Sequence, residues 1–413
     1  MIFLAEWWDL RDLGNPVGKL LELLGDHGPD WLPYAVSAIV GSITIVVFLL
    51  VSLLAFAWVE RRLLGRMQAR LGPNRVGPWG VFQSIADAIK FVTKEAITSR
   101  NVDRWMFWAA PVLVAVPVLV VFAVLPFGEG MVLADLNVGV LFVIAVGSVT
   151  AIPIFMAGWS SNNKFSLLGA MREVAMLISY ELPQVLALLG VVVFAGTMRM
   201  NGIVGWQDEH NTWLIFLQPL AVLIYLIAGT VEINRTPTDI AEAESEIVAG
   251  YHTEYSGIKF GMFWLTEYFA GFAIAAIIAT VYLGGWTLWG LEEWVPGWII
   301  FLAKLYGLFW LFIWMRGTLP RLRIDQLMGF AWKFLLPLAL INIFVAGLEV
   351  LIWRENDLAA EAVLPGFAIA NLVLAGVLIV AWARFLGRAR PSWRPARARL
   401  VKELGAVVYG QEG

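Results

Sequence analysis

Nine apolar stretches, each long enough to cross a bilayer, recur along this chain of 413 residues. A helix needs roughly 20 residues to cross about 30 Å of hydrocarbon, and only helices or closed barrels satisfy their backbone groups in lipid. The stretches do not alternate apolar and polar residues as barrel strands do. They span residues 34–58, 104–125, 138–158, 175–197, 213–232, 260–283, 298–316, 333–353 and 363–386. This pattern predicts an all-α integral membrane protein, a nine-span helical bundle.

Composition argues against several functional classes. Apolar residues make up 60% of the chain and charged residues only 15%, whereas soluble domains carry about 25% charged residues. With no cysteine, the chain offers no thiolate ligand for zinc or an iron–sulfur cluster, and its three histidines are widely spaced. We therefore expect no metal site. A net charge of −3 gives no indication of nucleic-acid binding, and the acidic first residues do not resemble a signal peptide.

The distribution of Lys and Arg predicts the orientation. If residue 60 faces the cytoplasm, all but five of the 29 basic residues fall on inner segments or in the C-terminal tail. The exceptions are Arg11, Lys19, Arg199, Lys304 and Arg354. An error of one span would mix the two sets, so this pattern favours an outer N-terminus and a cytoplasmic C-terminus.

The same span assignment divides the chain into four parts. These are an N-terminal outer segment (1–33), a core of eight spans with cytoplasmic loops 59–103 and 233–259 (34–353), an additional ninth span (354–386) and a basic cytoplasmic tail (387–413). The tail is interpreted as an anchor that touches anionic lipid, with a specific partner site as the alternative.

The first inner loop contains an amphipathic pattern from Trp79 onwards. One face carries Phe82, Ile85, Ala86, Ile89 and Val92, and the other carries Gln83, Asp87, Lys90 and Lys94. Apolar residues at spacings of three and four are typical of a helix. Its charges favour a helix that lies in the membrane interface rather than one that spans the bilayer.

Several carboxylates fall within or beside the apolar stretches, where each costs several kcal/mol unless it is paired or protonated. Glu181, Glu232 and Glu267 belong to three different spans and share the inner half of the predicted bilayer, with Glu173 at its edge. One such acid is readily explained by a hydrogen bond to a neighbouring helix. Three at one depth favour a proton relay.

Two further features leave alternatives open. Lys304 and Glu349 lie in the outer third of spans seven and eight, where we expect an ion pair, or alternatively the outer half of a proton path. Loop 232–259 is acidic, and Thr236 and Pro237 suit the N-cap and first position of a helix. That helix would place Asp239, Glu242 and Glu246 on one face. We interpret this face as a docking surface for a partner or as an entry funnel for protons, with a merely solvated loop as the alternative.

The loops carry motifs that resemble a known family, the quinone-site membrane subunit (the H-type subunit) of respiratory complex I. The first motif runs from Glu60-Arg61-Arg62 through Met67-Gln68-Ala69-Arg70-Leu71-Gly72-Pro73-Asn74-Arg75-Val76-Gly77-Pro78 to Ala86-Asp87-Ala88-Ile89-Lys90. Others are Ser179-Tyr180-Glu181, Glu232-Ile233-Asn234-Arg235-Thr236-Pro237, Glu254-Tyr255-Ser256-Gly257 and Glu267-Tyr268. The resemblance extends from about residue 34 to 353. Arg62, Leu71 and Thr238 depart from the family's usual residues.

The resemblance implies a subunit of a proton-translocating NADH–quinone oxidoreductase in the cell inner membrane, with no catalysis by this chain alone. Its substrate would be a quinone, ubiquinone or menaquinone, while FMN and iron–sulfur clusters would reside on partner subunits. The expected partners are hydrophilic iron–sulfur and quinone-site subunits on the cytoplasmic face, small membrane-arm subunits and the lipid bilayer, with no nucleic acid.

The resemblance also assigns roles to residues. The quinone chamber would involve Glu60, Arg61, Arg70, Asp87, Lys90, Phe263 and Trp264, although core packing explains the two aromatics equally well. The proton relay would comprise Glu173, Glu181, Glu232, Asp239, Glu242, Glu246 and Glu267. Three alternatives are the equivalent subunit of a membrane hydrogenase or another donor dehydrogenase, an ion-coupled transporter, whose usual inverted repeats are not visible, and a scaffolding anchor.

Overall fold

The computed structural model describes residues 31–240, 247–356 and 360–388, and all regular structure in these ranges is helical. The helices, numbered in chain order, are α1 (Trp31–Met67), α2 (Gln83–Thr93), α3 (Arg104–Val121), α4 (Gly139–Ser148), α5 (Ala151–Ser160), α6 (Lys164–Ala195), α7 (Met200–Glu209), α8 (Leu214–Leu217), α9 (Pro219–Glu232), α10 (Ile258–Tyr282), α11 (Gly297–Thr318), α12 (Ile324–Phe330), α13 (Leu336–Glu355) and α14 (Ala360–Arg388). A π-helical turn, Ala331–Leu335, makes α12 and α13 continuous.

Eight helical segments of the described ranges are long and apolar enough to cross a membrane, which confirms the predicted all-α membrane class. They are Ala35–Met67, Arg104–Val121, Gly139–Ser160, Lys164–Ala195, Ile258–Tyr282, Gly297–Thr318, Ile324–Glu355 and Val363–Ala381. The remaining predicted span, 213–232, consists of α8 and α9, which are separated at Gln218. At 14 residues, α9 is about 21 Å long and shorter than the hydrocarbon layer. The count of nine spans therefore stays a prediction.

Helix α6 is 32 residues long and packs against α5, α9 and α13. Asn163 caps its first turn by accepting a hydrogen bond from the Phe165 amide at 3.0 Å. Gly196 ends it in the left-handed conformation, at a φ of 67° that favours glycine. The helix starts at Lys164, well before the predicted span at 175, so it carries both Glu173 and Glu181.

Helix α10 forms the centre of the bundle, packed against α3, α9 and α11. Its second half is buried on all sides, as expected of a helix that is apolar around its whole circumference. In contrast, α1 and α14 expose apolar side chains such as Ile43 and Leu372 on the outer surface of the bundle. Such surfaces suit lipid, because lipid tails solvate apolar side chains as well as a protein core does.

A helix, α2, lies where the amphipathic pattern predicted one, although it begins at Gln83, after a single turn of 3-10 helix at Pro78–Gly80. Its place in the membrane interface stays a prediction. Its apolar face is exposed, with Phe82, Ile89 and Val92 at least half accessible. Helix α2 packs against α1 and α10.

The predicted helix start at Thr236 is wrong, because residues 233–240 are not helical and contain two turns. The chain folds back after α9, where the Thr238 hydroxyl donates to the Thr230 carbonyl at 3.0 Å. The Pro237 carbonyl accepts from the Leu322 amide at 3.0 Å, which ties the turn to the segment between α11 and α12. These contacts between distant segments outweigh the local capping preference.

The predicted ion pair between Lys304 and Glu349 is also wrong. The Lys304 ammonium donates to the carbonyls of Leu283, Gly285 and Thr287 at 2.6, 2.9 and 2.6 Å. Glu349 instead accepts a hydrogen bond from an amide on α14. The three donors of the lysine are thus used by carbonyls of the segment that directly follows α10.

Candidate functional site

A buried carboxylate near the end of α1 lies at the centre of a charged cluster. Glu60 is almost inaccessible and accepts hydrogen bonds from Arg235 Nη1 at 3.0 Å and from the Tyr268 hydroxyl at 2.7 Å. Arg316, on α11, binds its other oxygen. A buried carboxylate is tolerated when cations and donors surround it in this way.

Arg235 joins this carboxylate to a second one. Its Nε donates to Glu267 at 3.3 Å, while its guanidinium lies 4.3 Å from the ring centre of Tyr268 and 5.3 Å from that of Phe309. Only 2% of its side chain is exposed. Burial alone would lower the pKa of Arg235, but the carboxylates of Glu60 and Glu267 outweigh it and raise that pKa above its ordinary value.

With Arg316, the cluster contains two carboxylates and two guanidiniums, so its formal charge is zero. The pairing has a direct consequence: Glu60 and Glu267 share one cation. If the guanidinium of Arg235 moves closer to one of these carboxylates, it moves away from the other, and the second ion pair weakens.

Two adjoining cavities extend from this cluster into the bundle. The first is lined by Glu173, Glu232 and Glu267, and the second by Glu181 and Glu232. Glu232 therefore borders both. The first cavity has a volume of about 50 Å³ and the second of about 70 Å³, and one water needs roughly 10–15 Å³. Each cavity has room for several waters beside its acids.

The acids of these cavities differ in their hydrogen-bond partners. Gln184 donates to Glu232 at 2.8 Å, and the Ser148 hydroxyl donates to Glu181. Glu173 has one oxygen, Oε2, that is buried without a hydrogen-bond partner among the described residues. An orphaned oxygen facing a cavity is suited to bind water.

The structure thus brings together four of the seven residues predicted for the relay: Glu173, Glu181, Glu232 and Glu267. Asp239 lies at the surface end of this region and pairs with Arg321 at 2.6 Å. Glu242 and Glu246 lie outside the described residues.

The residues predicted for the quinone chamber divide into separate groups. Arg61, at the end of α1, pairs with Asp87 of α2, and Lys90 lies 3.8 Å from the same carboxylate. Glu60 points instead into the buried cluster. Arg70 is exposed, and its Nε donates to Gln68 at 2.7 Å.

The two predicted aromatics of α10 also face different surroundings. Trp264 lies between Phe91 of α2 and Tyr268. Its ring centre is 6.0 Å from that of Phe91 and 4.8 Å from that of Tyr268. Phe263 is buried edge-on against Tyr255 at 4.9 Å and lines the cavity of Glu173 and Glu267. Only Trp264 belongs to the junction of α1, α2 and α10.

Sequence reasoning missed Arg235 as a site residue, because its position in a polar loop made it one more inner basic residue. It also missed Tyr268, Arg316 and Gln184. The motifs Glu232-Ile233-Asn234-Arg235 and Glu267-Tyr268 contained a signal, since each places a polar residue beside a membrane acid. Within the described ranges, no group of three or more His, Asp or Glu side chains is arranged to hold a metal.

Comparison with known proteins decides the family. The profile of the NADH dehydrogenase family matches residues 40–347, well over half of the chain. The H-type subunit of the NADH-quinone oxidoreductase of Dehalococcoides mccartyi (strain CBDB1) is 52% identical over 347 residues, which cover 84% of this chain and 95% of that protein. This chain belongs to the family of H-type subunits of complex I.

Other relatives agree. The H-type subunit of Carboxydothermus hydrogenoformans is 49% identical over 77% of this chain and 89% of its own length. That of Geobacillus kaustophilus is 45% identical over 78% and 97%. The resemblance found in the loop motifs is therefore confirmed. The charged cluster and all acids of the two cavities lie within the part that matches the family profile, whereas Glu349 and α14 lie beyond its end at residue 347.

Proposed function

We propose that this chain is the membrane subunit of an NADH–quinone oxidoreductase that forms the membrane half of the quinone-binding chamber. It couples quinone reduction to proton translocation through its buried carboxylates. The observation that carries the proposal is the bridge made by Arg235, which binds Glu60 on one side and Glu267 on the other. One guanidinium thereby connects the end of α1 with the acids that line the two cavities, Glu267, Glu173, Glu232 and Glu181.

The chamber would open at the junction of α1, α2 and α10. The exposed apolar face of α2 and the Phe91–Trp264 pair offer an apolar path for the isoprenoid tail of ubiquinone or menaquinone. Arg61, Asp87 and Lys90 lie on the polar side of the same junction. A quinone, with a long apolar tail and a polar headgroup, matches this division, and it would enter laterally from the lipid.

Coupling would act through competition for Arg235. Two unit charges 4 Å apart interact by about 4 kcal/mol at an effective dielectric constant of 20. A change of charge at the chamber therefore alters how strongly Glu60 holds the guanidinium. When that hold tightens, Glu267 loses its cation and binds a proton more strongly, and when it loosens, Glu267 releases the proton.

The acids would then pass the proton along the cavities, in the order Glu267, Glu173, Glu232 and Glu181. Carboxyl groups separated by ordered water exchange protons readily, and the shared position of Glu232 makes the two cavities one route. Asp239, Glu242 and Glu246 would serve at the surface as a proton funnel or as the face that partner subunits bind.

The assembly follows from the family. Hydrophilic subunits with FMN and iron–sulfur clusters would cover the cytoplasmic face, and small membrane-arm subunits would continue the route. The chain would lie in the cell inner membrane with its N-terminus outside and its basic tail, residues 387–413, in the cytoplasm.

The test uses the assembled complex in proteoliposomes. Glu181→Gln and Glu267→Gln should each abolish proton translocation, because an amide cannot carry the proton, while electron transfer with an uncoupler continues. Glu209→Gln, an exposed change at the end of α7, is the control and should pump normally. Full pumping in both relay variants would eliminate the relay. Purification of the chain without flavin and iron–sulfur absorbance would contradict the proposed assembly.

A further inference from the structure

A second line of polar side chains continues from the acids towards the opposite end of the bundle. Gln218, Tyr225 and Glu232 recur every seven residues along α9 and its N-cap, and all three side chains are largely buried. Seven residues make about two helical turns, or roughly 10.5 Å, so the three share one face. Tyr225 lines the cavity of Glu181 and interacts with Gln184, which binds Glu232.

At the far end of this line, several amide atoms are buried without hydrogen-bond partners among the described residues. They are both amide atoms of Gln218 and the Nδ2 of Asn342, on α13. These groups converge on Gly190 of α6, where a Cβ would lie 2.8 Å from Gln218 Oε1 and 3.2 Å from Asn342 Nδ2. Only glycine leaves space for the two amides to approach each other here. Because a buried amide without a hydrogen-bond partner is costly, this arrangement suits a water held between the two side chains.

The line ends at a carboxyl group. Glu349 lies two turns beyond Asn342 on α13 and is 7% exposed. Asn371, on α14, donates to Glu349 Oε2 at 2.8 Å and to the Leu217 carbonyl at 2.7 Å. Leu217 precedes Gln218, so the same amide connects Glu349 to the break between α8 and α9. Among the described residues no hydrogen bond is made to the second oxygen of Glu349, which can therefore accept a proton.

Ordinary helix packing does not account for these groups. Polar side chains that hold membrane helices together do so by hydrogen-bonding across the interface, whereas Gln218 and Asn342 have orphaned atoms at the same point. A carboxyl group at this depth adds a cost that an amide or leucine would avoid. Because Glu349 continues the line of acids, a role in proton binding would account for the cost of burying its carboxyl group.

We infer that Glu349 is a further proton-binding residue, which exchanges protons with Glu232 through Tyr225, Gln218 and Asn342. It releases them at the end of the bundle opposite Glu60. In each step a protonated carboxyl group gives its proton to a neighbouring water while that water passes one of its own to the next acceptor, so the water is unchanged, the donor becomes a carboxylate and no other reactant is needed. The inference rests on the proposed relay. It adds α14, through Asn371, to the coupling machinery.

The experiment compares Glu349→Gln with Glu355→Gln in the assembled complex, reconstituted in proteoliposomes. Glu355 lies at the exposed end of the same helix and receives the same substitution. Glutamine keeps an acceptor for Asn371, so the fold is expected to persist. We expect a loss in protons translocated per electron for Glu349→Gln only, with the uncoupled rate unchanged. Redox-induced infrared difference spectra should lose a protonated-carboxyl band in this variant only.

An unchanged proton ratio and spectrum in Glu349→Gln would overturn the inference. If that variant does not assemble, Asn342→Leu is measured instead, and a normal ratio there has the same meaning. The relay variants separate the two proposals. Pumping that stops in Glu181→Gln and Glu267→Gln but persists in Glu349→Gln refutes only the role of Glu349, whereas normal pumping in all of them refutes the relay as well.

Discussion

Replacing Arg235 by methionine tests whether the buried charge cluster is held as the structure indicates. Methionine keeps an unbranched, apolar side chain in place of the arginine stem and removes the charge, which leaves Glu60 and Glu267 without the cation they share. Removing one partner of a buried ion pair costs about 3–5 kcal/mol. The lost contacts with the rings of Tyr268 and Phe309 act in the same direction. We expect the turn after α9 to open more easily by this free energy.

Hydrogen–deuterium exchange of the assembled complex measures that opening. A cost of about 3–5 kcal/mol corresponds to exchange that is roughly a hundredfold to a few thousandfold faster in peptides covering residues 230–240. Arg199→Met is the control, because its pair with Asp135 lies at the surface, where solvent screens the two charges and the pair contributes little. Exchange in Arg235→Met that stays within about threefold of the wild type would refute the reasoning.

Two further predictions concern the contact between α6 and the segment that precedes α10. Burial lowers the pKa of His252 to about 4 from 6.5, so the folded state resists a proton that the unfolded state accepts. The free energy of unfolding should thus fall as the pH drops below about 6.5, by about 2 kcal/mol at pH 5. Thermal melts of His252→Phe should lack this loss. Melting temperatures of the two proteins that fall in parallel with pH would contradict the prediction. Gly169→Ala would place a Cβ 2.6 Å from the Gly250 backbone and should destabilise the complex by about 1–3 kcal/mol in the same melts. Gly347→Ala, with open space around its Cβ, should be neutral, and equal melting of both alanine variants would show that the contact is not tight.

Local patterns predicted the class of fold because they depend on length and polarity alone. Eight long apolar helices follow from runs of residues that must be buried in lipid, and α2 follows from its amphipathic spacing. The break at Gln218 was missed, since the stretch 213–232 is largely apolar and a single proline does not reveal where a helix ends. The helix predicted to start at Thr236 was wrong, because a backbone hydrogen bond between Pro237 and the distant Leu322 holds this segment in a turn instead.

The acids of the site were also visible in the sequence, because a carboxyl group within an apolar stretch stands out by its cost. Their spacing from the span ends placed Glu181, Glu232 and Glu267 at similar depth. What the spacing did not contain was the rotation of each helix about its axis, which decides whether acids face one another, lipid or a core.

The sequence by itself therefore determined that this chain is a helical membrane protein of the H-type family with costly interior carboxylates. Only the tertiary structure decided their partners. Arg235 meets Glu60 across 175 positions of the chain, and Lys304 binds carbonyls directly after α10 rather than pairing with Glu349. Such pairings depend on which helices are neighbours and how they are turned, and that is set by packing over the whole bundle rather than by any local run of residues.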